Sequence, residues 1–335
     1  MSDNTLVRQS ARELARLIRN RAVSPIEVLD AHLAAIAALN PKLNAIVTLA
    51  EESARDHARR AEQAVMKGEP LGALHGLPVG IKDITLTAGI RTTFASPLLK
   101  DNVPSEDEEV VRRLKAAGAI VLAKTNTPEF ACGANTNNAL FGPTRNPWNP
   151  ALSPAGSSGG SAVAVATGMT PLAQGTDYGC SIRIPAAFCG IVGIRPTPGL
   201  IPSYPKPLAW NPGEVHGPLA RDAEDAALML DAMVGFSRIS PISVAPPLQS
   251  ALVELERRED IKGLRNGVSL ALVIIVVAEM FIGSQDGLGH SVFEAQQLFD
   301  MPRMYAAIFA AGALGYGLNL MFLLIERRFV HWSGK

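Results

Sequence analysis

The stretch GTDYGCSIRIPAAFCG, Gly175 to Gly190, holds one serine, Ser181, with no histidine or acid placed where a catalytic triad would need it. A serine hydroxyl attacks poorly until a base takes its proton, and histidine is the usual base. The six histidines offer little. His32 and His57 lie in polar helical patterns, His290 and His331 belong to the C-terminal segment, and only His75 and His216 fall in segments that read as loops. For each of them a structural role outweighs a catalytic one. A buried lysine is the other known base, because loss of solvent lowers its pKa and leaves a neutral amine. HGLPVGIKDITL ends an apolar, strand-like run on Lys82, an odd place for a solvated surface lysine.

Between Gly142 and Gly199, glycine, serine, proline and threonine crowd around short apolar pieces. SPAGSSGGSAVAVATGM runs from a serine and glycine loop straight into an apolar helix. Backbone N–H groups in such a loop, together with a helix N-terminus, are the fixed donors that a developing oxyanion requires. A flexible linker has the same composition. The apolar alternation on both sides argues against a linker.

The elements that must position these residues alternate between helix and strand. Ser24-Pro25-Ile26-Glu27 is a capping box with proline at the first helical position, and its helix is expected to stop at Asn40-Pro41. NAIVTL reads as a strand. Ser105 and Glu108 open a second capped helix that ends at Gly118, and AIVLA follows as a buried strand. Asp222 caps a third helix, AEDAALMLDAM. This order predicts an α/β fold, a mixed sheet covered by helices on both faces.

Composition sets the bounds. The chain has 335 residues, 47% hydrophobic and 19% charged, with a formal net charge of zero, so a sizeable core is available and no basic surface argues for nucleic acid. Cys132, Cys180 and Cys189 are odd in number and lack CxxC spacing, which reads as reduced thiols in a cytoplasmic protein. The N-terminal twenty residues form an amphipathic helix pattern rather than a signal peptide.

Six segments, GLPVGIKD, AKTNTPEFACGANTNN, GPTRNPWNP, SPAGSSGGSAVAVATGM, GTDYGCSIRIPAAFCGIVGIRPT and GPLARDAEDAALMLDAM, closely resemble, in order, the landmark segments of the amidase signature family of serine hydrolases. The resemblance runs from about Thr5 to about Arg265. It implies cleavage of the carbon–nitrogen bond of a small amide by a Ser-cisSer-Lys triad, with no cofactor and no metal. Ser181 matches the nucleophile, Ser157 the bridging serine in a cis peptide after Gly156, and Lys82 the base. The backbone N–H groups of Tyr178, Gly179, Cys180 and Ser181 match the oxyanion hole. Asp177 and Arg183 match supporting positions, and Ser158 reads as either a supporting residue or a helix N-cap. The sequence departs from the family at Cys180 and Ala155, where glycine is usual and would serve a positive φ or a close approach.

After Arg265 the texture changes. Asn266–Gly283 and Met304–Ile325 are apolar runs of about 18 and 22 residues, near the roughly 20 that span a bilayer. They resemble the last two transmembrane helices of bacterial ABC importer permeases of the nitrate, sulfonate and taurine type. Arg257, Arg258, Lys262 and Arg265 before the first run, and Arg327, Arg328 and Lys335 after the second, place both ends of a transmembrane hairpin in the cytoplasm. The expectation is therefore a fusion. Residues 1–265 would form an incomplete amidase-like domain of weakened activity, anchored to the membrane by residues 266–335, with the junction between Ile261 and Asn266. The competing expectations are a transporter-associated membrane protein and a fusion product without activity. The oligomeric state stays open.

Overall fold

The computed structural model describes residues 3–206, 208–257, 291–292, 294–295 and 300–329. The chain divides into two compact units, Met1–Glu256 and Arg257–Lys335.

The first unit is built on a six-stranded sheet. In chain order its strands are β1 (Ile46–Leu49), β2 (Pro78–Lys82), β3 (Ile120–Thr125), β4 (Leu172–Asp177), β5 (Val192–Gly193) and β6 (Val215–Ala220). Their spatial order is β1-β3-β2-β4-β6-β5. The central strand β2 runs parallel to both neighbours, β3 and β4, and the outer pairings are antiparallel, so the sheet is mixed as the alternation of elements predicts. Lys82, Thr125 and Asp177 therefore end three adjacent parallel strands on one edge, where the connecting loops of an α/β sheet gather around a ligand.

Helices cover both faces. They are α1 (Asp3–Leu6), α2 (Ala11–Arg19), α3 (Pro25–Leu43), α4 (Glu51–Lys67), α5 (Glu109–Ala116), α6 (Gly159–Ala166), α7 (Arg183–Cys189), α8 (Ala223–Met233) and α9 (Ala251–Arg257). Successive strand residues point to opposite faces, and the core divides accordingly. Val121 and Leu172 join Leu14, Val111 and Met229 of α2, α5 and α8 in one cluster. Ile120, Leu122 and Ala173 join Leu29, Ala58 and Val163 of α3, α4 and α6 in the other.

Local signals explain most helix ends, with three corrections. The capping box at Ser24 and Glu27 and the N-cap at Asp222 form as expected. Helix α3, however, carries Pro41 inside its last turn and ends at Leu43. The Asn40 carboxamide oxygen accepts the Ala45 and Ile46 N–H groups just beyond the helix, and Asn44 turns the chain at φ 52°. Helix α5 begins after Glu108 without a side-chain cap, because Glu108 turns inward toward a buried partner instead of back to Ser105. His216, expected in a loop, lies in the fully buried strand β6.

The first apolar run of the expected hairpin, residues 266–283, lies outside the described residues. The second falls within α10 (Met301–Phe329). Among the described residues no helix is long and apolar enough to cross a membrane, so the transmembrane hairpin and the anchoring it implied are not supported.

Candidate active site

Lys82 sits at the end of β2 with no exposed surface. Its Nζ donates to Ser157 Oγ at 2.6 Å and to Thr176 Oγ1, on the neighbouring strand β4, at 2.9 Å. Burial lowers the lysine pKa to about 7, against the opposing influence of the Glu214 and Asp177 carboxylates. A large fraction of the amine is thus neutral near pH 7, as a general base requires.

Ser157 and Ser158 lie where the loop meets α6. The Gly156–Ser157 peptide is cis, in agreement with the expectation for this position. Ser158 occupies the N-cap position of α6, yet its hydroxyl makes no cap bond. It donates instead to the Thr176 carbonyl at 3.1 Å, which ties the loop to β4. The next two residues must be small: a Cβ on Gly159 would lie 2.2 Å from Thr136 Oγ1, and one on Gly160 would lie 2.3 Å from the Asn126 nitrogen. This close approach seats the helix N-terminus against the loops that follow β3.

Ser181 follows β4 by four residues and is partly exposed. Its carbonyl accepts the Ser158 N–H at 3.0 Å, so the two serine-bearing loops are joined through their backbones. Lys82 and Ser157 are brought into direct contact, whereas the Ser181 hydroxyl has no hydrogen-bond partner among the described residues.

Asp177 organises the turn between them. Its buried carboxylate accepts the Cys180 N–H at 2.9 Å and the Ile182 N–H at 3.1 Å, and pairs with Arg183 and Arg195. Burial raises the Asp177 pKa, but the hydrogen bond and charge of Arg183, the Ile182 N–H and Arg195 outweigh it and hold the group below its ordinary value. Because the Cys180 N–H is committed to Asp177, it is not available as the fourth oxyanion donor that the resemblance implied. The N–H groups of Tyr178, Gly179 and Ser181 donate to no protein acceptor among the described residues. Cys180 adopts φ 73° and Ala155 φ 62°, so both positions where glycine is usual have left-handed backbone. The Cys180 thiol pKa is raised by burial, which disfavours a reactive thiolate.

Sequence reasoning missed four buried polar residues around Lys82. Lys124, next to last in the adjacent strand β3, donates to the Thr85 carbonyl and to Thr87 Oγ1, and burial lowers its pKa to about 7 as well. Gln174, Glu108 and His216 form a chain behind the Lys82 backbone. The available signal was the same one that marked Lys82: polar side chains closing or interrupting the apolar runs AIVLAKT and PLAQGTD. A cavity of about 600 Å³ opens beside Thr176, with Leu86, Phe94 and Phe130 supplying apolar wall and Glu108, Glu214 and His216 supplying polar groups. Among the described residues no cluster of His, Cys, Asp or Glu could hold a metal ion.

Residues 27–294 match the family model described as Amidase, and the chain belongs to that family. It is 44% identical over 259 residues to a glutamyl-tRNA(Gln) amidotransferase subunit from Carboxydothermus hydrogenoformans, covering 77% of this chain and 53% of that protein. It is 40% identical over 265 residues to an acylamidase of Rhodococcus erythropolis, covering 79% and 55% respectively. Among solved structures, a bacterial aryl acylamidase of the amidase signature enzymes superposes with a TM-score of 0.69 at 36% identity, over 72% of this chain and 50% of that one. The chain thus spans about half the length of the relatives it matches. The family match runs past the junction expected at residues 261–266, and none of these matches supports the permease-like reading of the tail.

Proposed function

We propose that the protein is an amidase-type serine hydrolase that cleaves the carbon–nitrogen bond of a small amide, with Ser181 as nucleophile, Ser157 as proton bridge and Lys82 as base. The observation that carries this reading is the 2.6 Å bond from the buried Lys82 Nζ to Ser157 Oγ. Ser181 Oγ attacks the amide carbon while its proton passes to Ser157 Oγ, whose own proton moves to the neutral Lys82 amine. The carbonyl oxygen becomes an oxyanion facing the N–H groups of Tyr178, Gly179 and Ser181. Collapse breaks the carbon–nitrogen bond, and the proton returns from Lys82 through Ser157 to the leaving nitrogen. Water then cleaves the acyl-Ser181 ester by the same relay, releasing the carboxylic acid. Asp177 and Arg183 hold the turn, and Ser158 fixes the loop to β4. These groups all fall within residues 1–265, and residues 266–335 contribute none of them.

The Leu86, Phe94 and Phe130 wall favours an amide with an apolar or aromatic acyl group, and the likeness to an acylamidase supports an acyl amide as substrate. The identity to an amidotransferase subunit supports a second reading, in which glutamine is the amide and ammonia the product of interest. Reaction with a fluorophosphonate, followed by peptide mapping, tests the nucleophile. Modification at Ser181 is expected, and an unmodified Ser181 overturns the proposal. Ammonia release from glutamine beside aliphatic and aryl amides separates the two substrate readings.

A further inference from the structure

Behind Lys82, on the side away from Ser157, a line of buried polar groups crosses the sheet. The Gln174 carboxamide oxygen accepts the Lys82 backbone N–H at 3.1 Å and the Thr85 hydroxyl at 3.1 Å. Its Nε2 donates to the Gly175 carbonyl at 2.8 Å and lies 2.9 Å from His216 Nδ1. His216 Nε2 in turn lies 2.7 Å from Glu108 Oε1. Gln174 has no exposed surface, and His216 and Glu108 are 4% and 6% exposed.

The chemistry of the two backbone groups orients the whole line. The Lys82 N–H can only donate and the Gly175 carbonyl can only accept, so the Gln174 amide has one permitted orientation. With Nε2 toward His216, Nδ1 must accept, and the proton of the neutral ring sits on Nε2, where it donates to Glu108. Every hydrogen-bonding site of Gln174 is then filled. A buried polar network of this kind specifies a unique arrangement when all its members are satisfied, and is costly when one is lost. Nothing in sheet packing requires it, because a leucine at position 174 would fill a similar volume beside Leu172 and Ile81, its register partner on β2, without any hydrogen-bond partner.

We propose that Gln174, oriented by His216 and Glu108, is a positioning residue for the base: it fixes the end of β2 so that the Lys82 amine meets Ser157. His216 and Glu108 also line the cavity beside Thr176, so the line joins the cavity wall to the strand that carries the base. This inference rests on the hydrolase reading of the site.

Two measurements on the full chain test it. Nitrogen NMR of histidine-labelled protein reports the His216 ring directly, with His216→Asn used to assign the signal; the Nε2–H form is expected, and an Nδ1–H ring overturns the line. The second measurement is inactivation by a fluorophosphonate, resolved into a maximal rate and a half-saturating concentration. Gln174→Leu is expected to lower the maximal rate at least tenfold while the half-saturating concentration changes less than threefold. Glu108→Leu should behave similarly, and Glu108→Gln, which keeps an acceptor for His216 Nε2–H, should recover most of the rate. Failure of the unaltered chain to react overturns the hydrolase reading and the role proposed for the line with it. An unaltered chain that reacts, with Gln174→Leu equally fast, overturns the positioning role alone.

Discussion

The Lys82 amine and the Ser157 hydroxyl meet at 2.6 Å inside a site from which solvent is excluded, and Thr176 holds the amine from the other side at 2.9 Å. A lysine so placed has two acceptors and no carboxylate in hydrogen-bond contact, which leaves it free to lose its proton. The pair should therefore fail as a unit. Lys82→Ala and Ser157→Ala are each expected to lower amide turnover by at least about a thousandfold, and Ser181→Ala to abolish it, because members of one relay are not additive. Turnover of a reactive amide by the Lys82→Ala protein at the unaltered rate would remove lysine from the mechanism.

The pH dependence follows from the same burial. The reactive form is the neutral amine, and the Lys82 pKa is lowered to about 7. The rate should rise about tenfold per pH unit below 7 and level off above it. A kcat/KM profile between pH 5 and 9 measures this. A rate that stays flat through 7, or falls as pH rises, is incompatible with a lysine base.

Asp177 bears on stability as well as on the site. Its carboxylate has no exposed surface and is paired with two arginines and three backbone N–H groups. Asp177→Asn removes the charge while leaving Arg183 and Arg195 beside it, a change that costs about 3 kcal/mol in comparable buried networks. Urea unfolding should show that loss, together with slower fluorophosphonate labelling of Ser181. Unchanged stability would show that the arginines are satisfied elsewhere.

Cys180 offers a gain. At φ 73° its Cβ is strained, and glycine is free of that penalty although it adds freedom to the unfolded chain. Cys180→Gly is expected to be more stable than Cys180→Ala by about 1 kcal/mol. Thermal unfolding of the two variants side by side measures the difference, and equal midpoints would mean that the turn relaxes to accept either residue.

The sequence carried the architecture because its signals were local. A capping box at Ser24, an N-cap at Asp222 and two-residue alternation around Ile120 to Leu122 are short-range features that packing did not need to override. Lys82 was legible as well, since a charged residue closing an apolar run has few explanations. What failed was long-range. Glu108 looked like the end of a capping box, but its partner is His216, 108 residues away. Cys180 looked like one of four oxyanion donors until the Asp177 carboxylate took its N–H, a bond that depends on how sharply the chain turns after β4.

Lys124 lies beside Ile81 in the β2–β3 register, one residue before Lys82, and both amines are held near pKa 7 where an unfolded lysine lies near 10.4. Between those values the unfolded chain binds more protons than the folded one, so the contribution of each lysine to stability rises as pH climbs from about 7 toward 10.4. Below pH 7 both amines are charged in the interior and the full cost of desolvating them falls on the fold. Base strength and resistance to unfolding are thus coupled through proton binding, and alkaline conditions favour both the competent form of the site and the sheet that holds it.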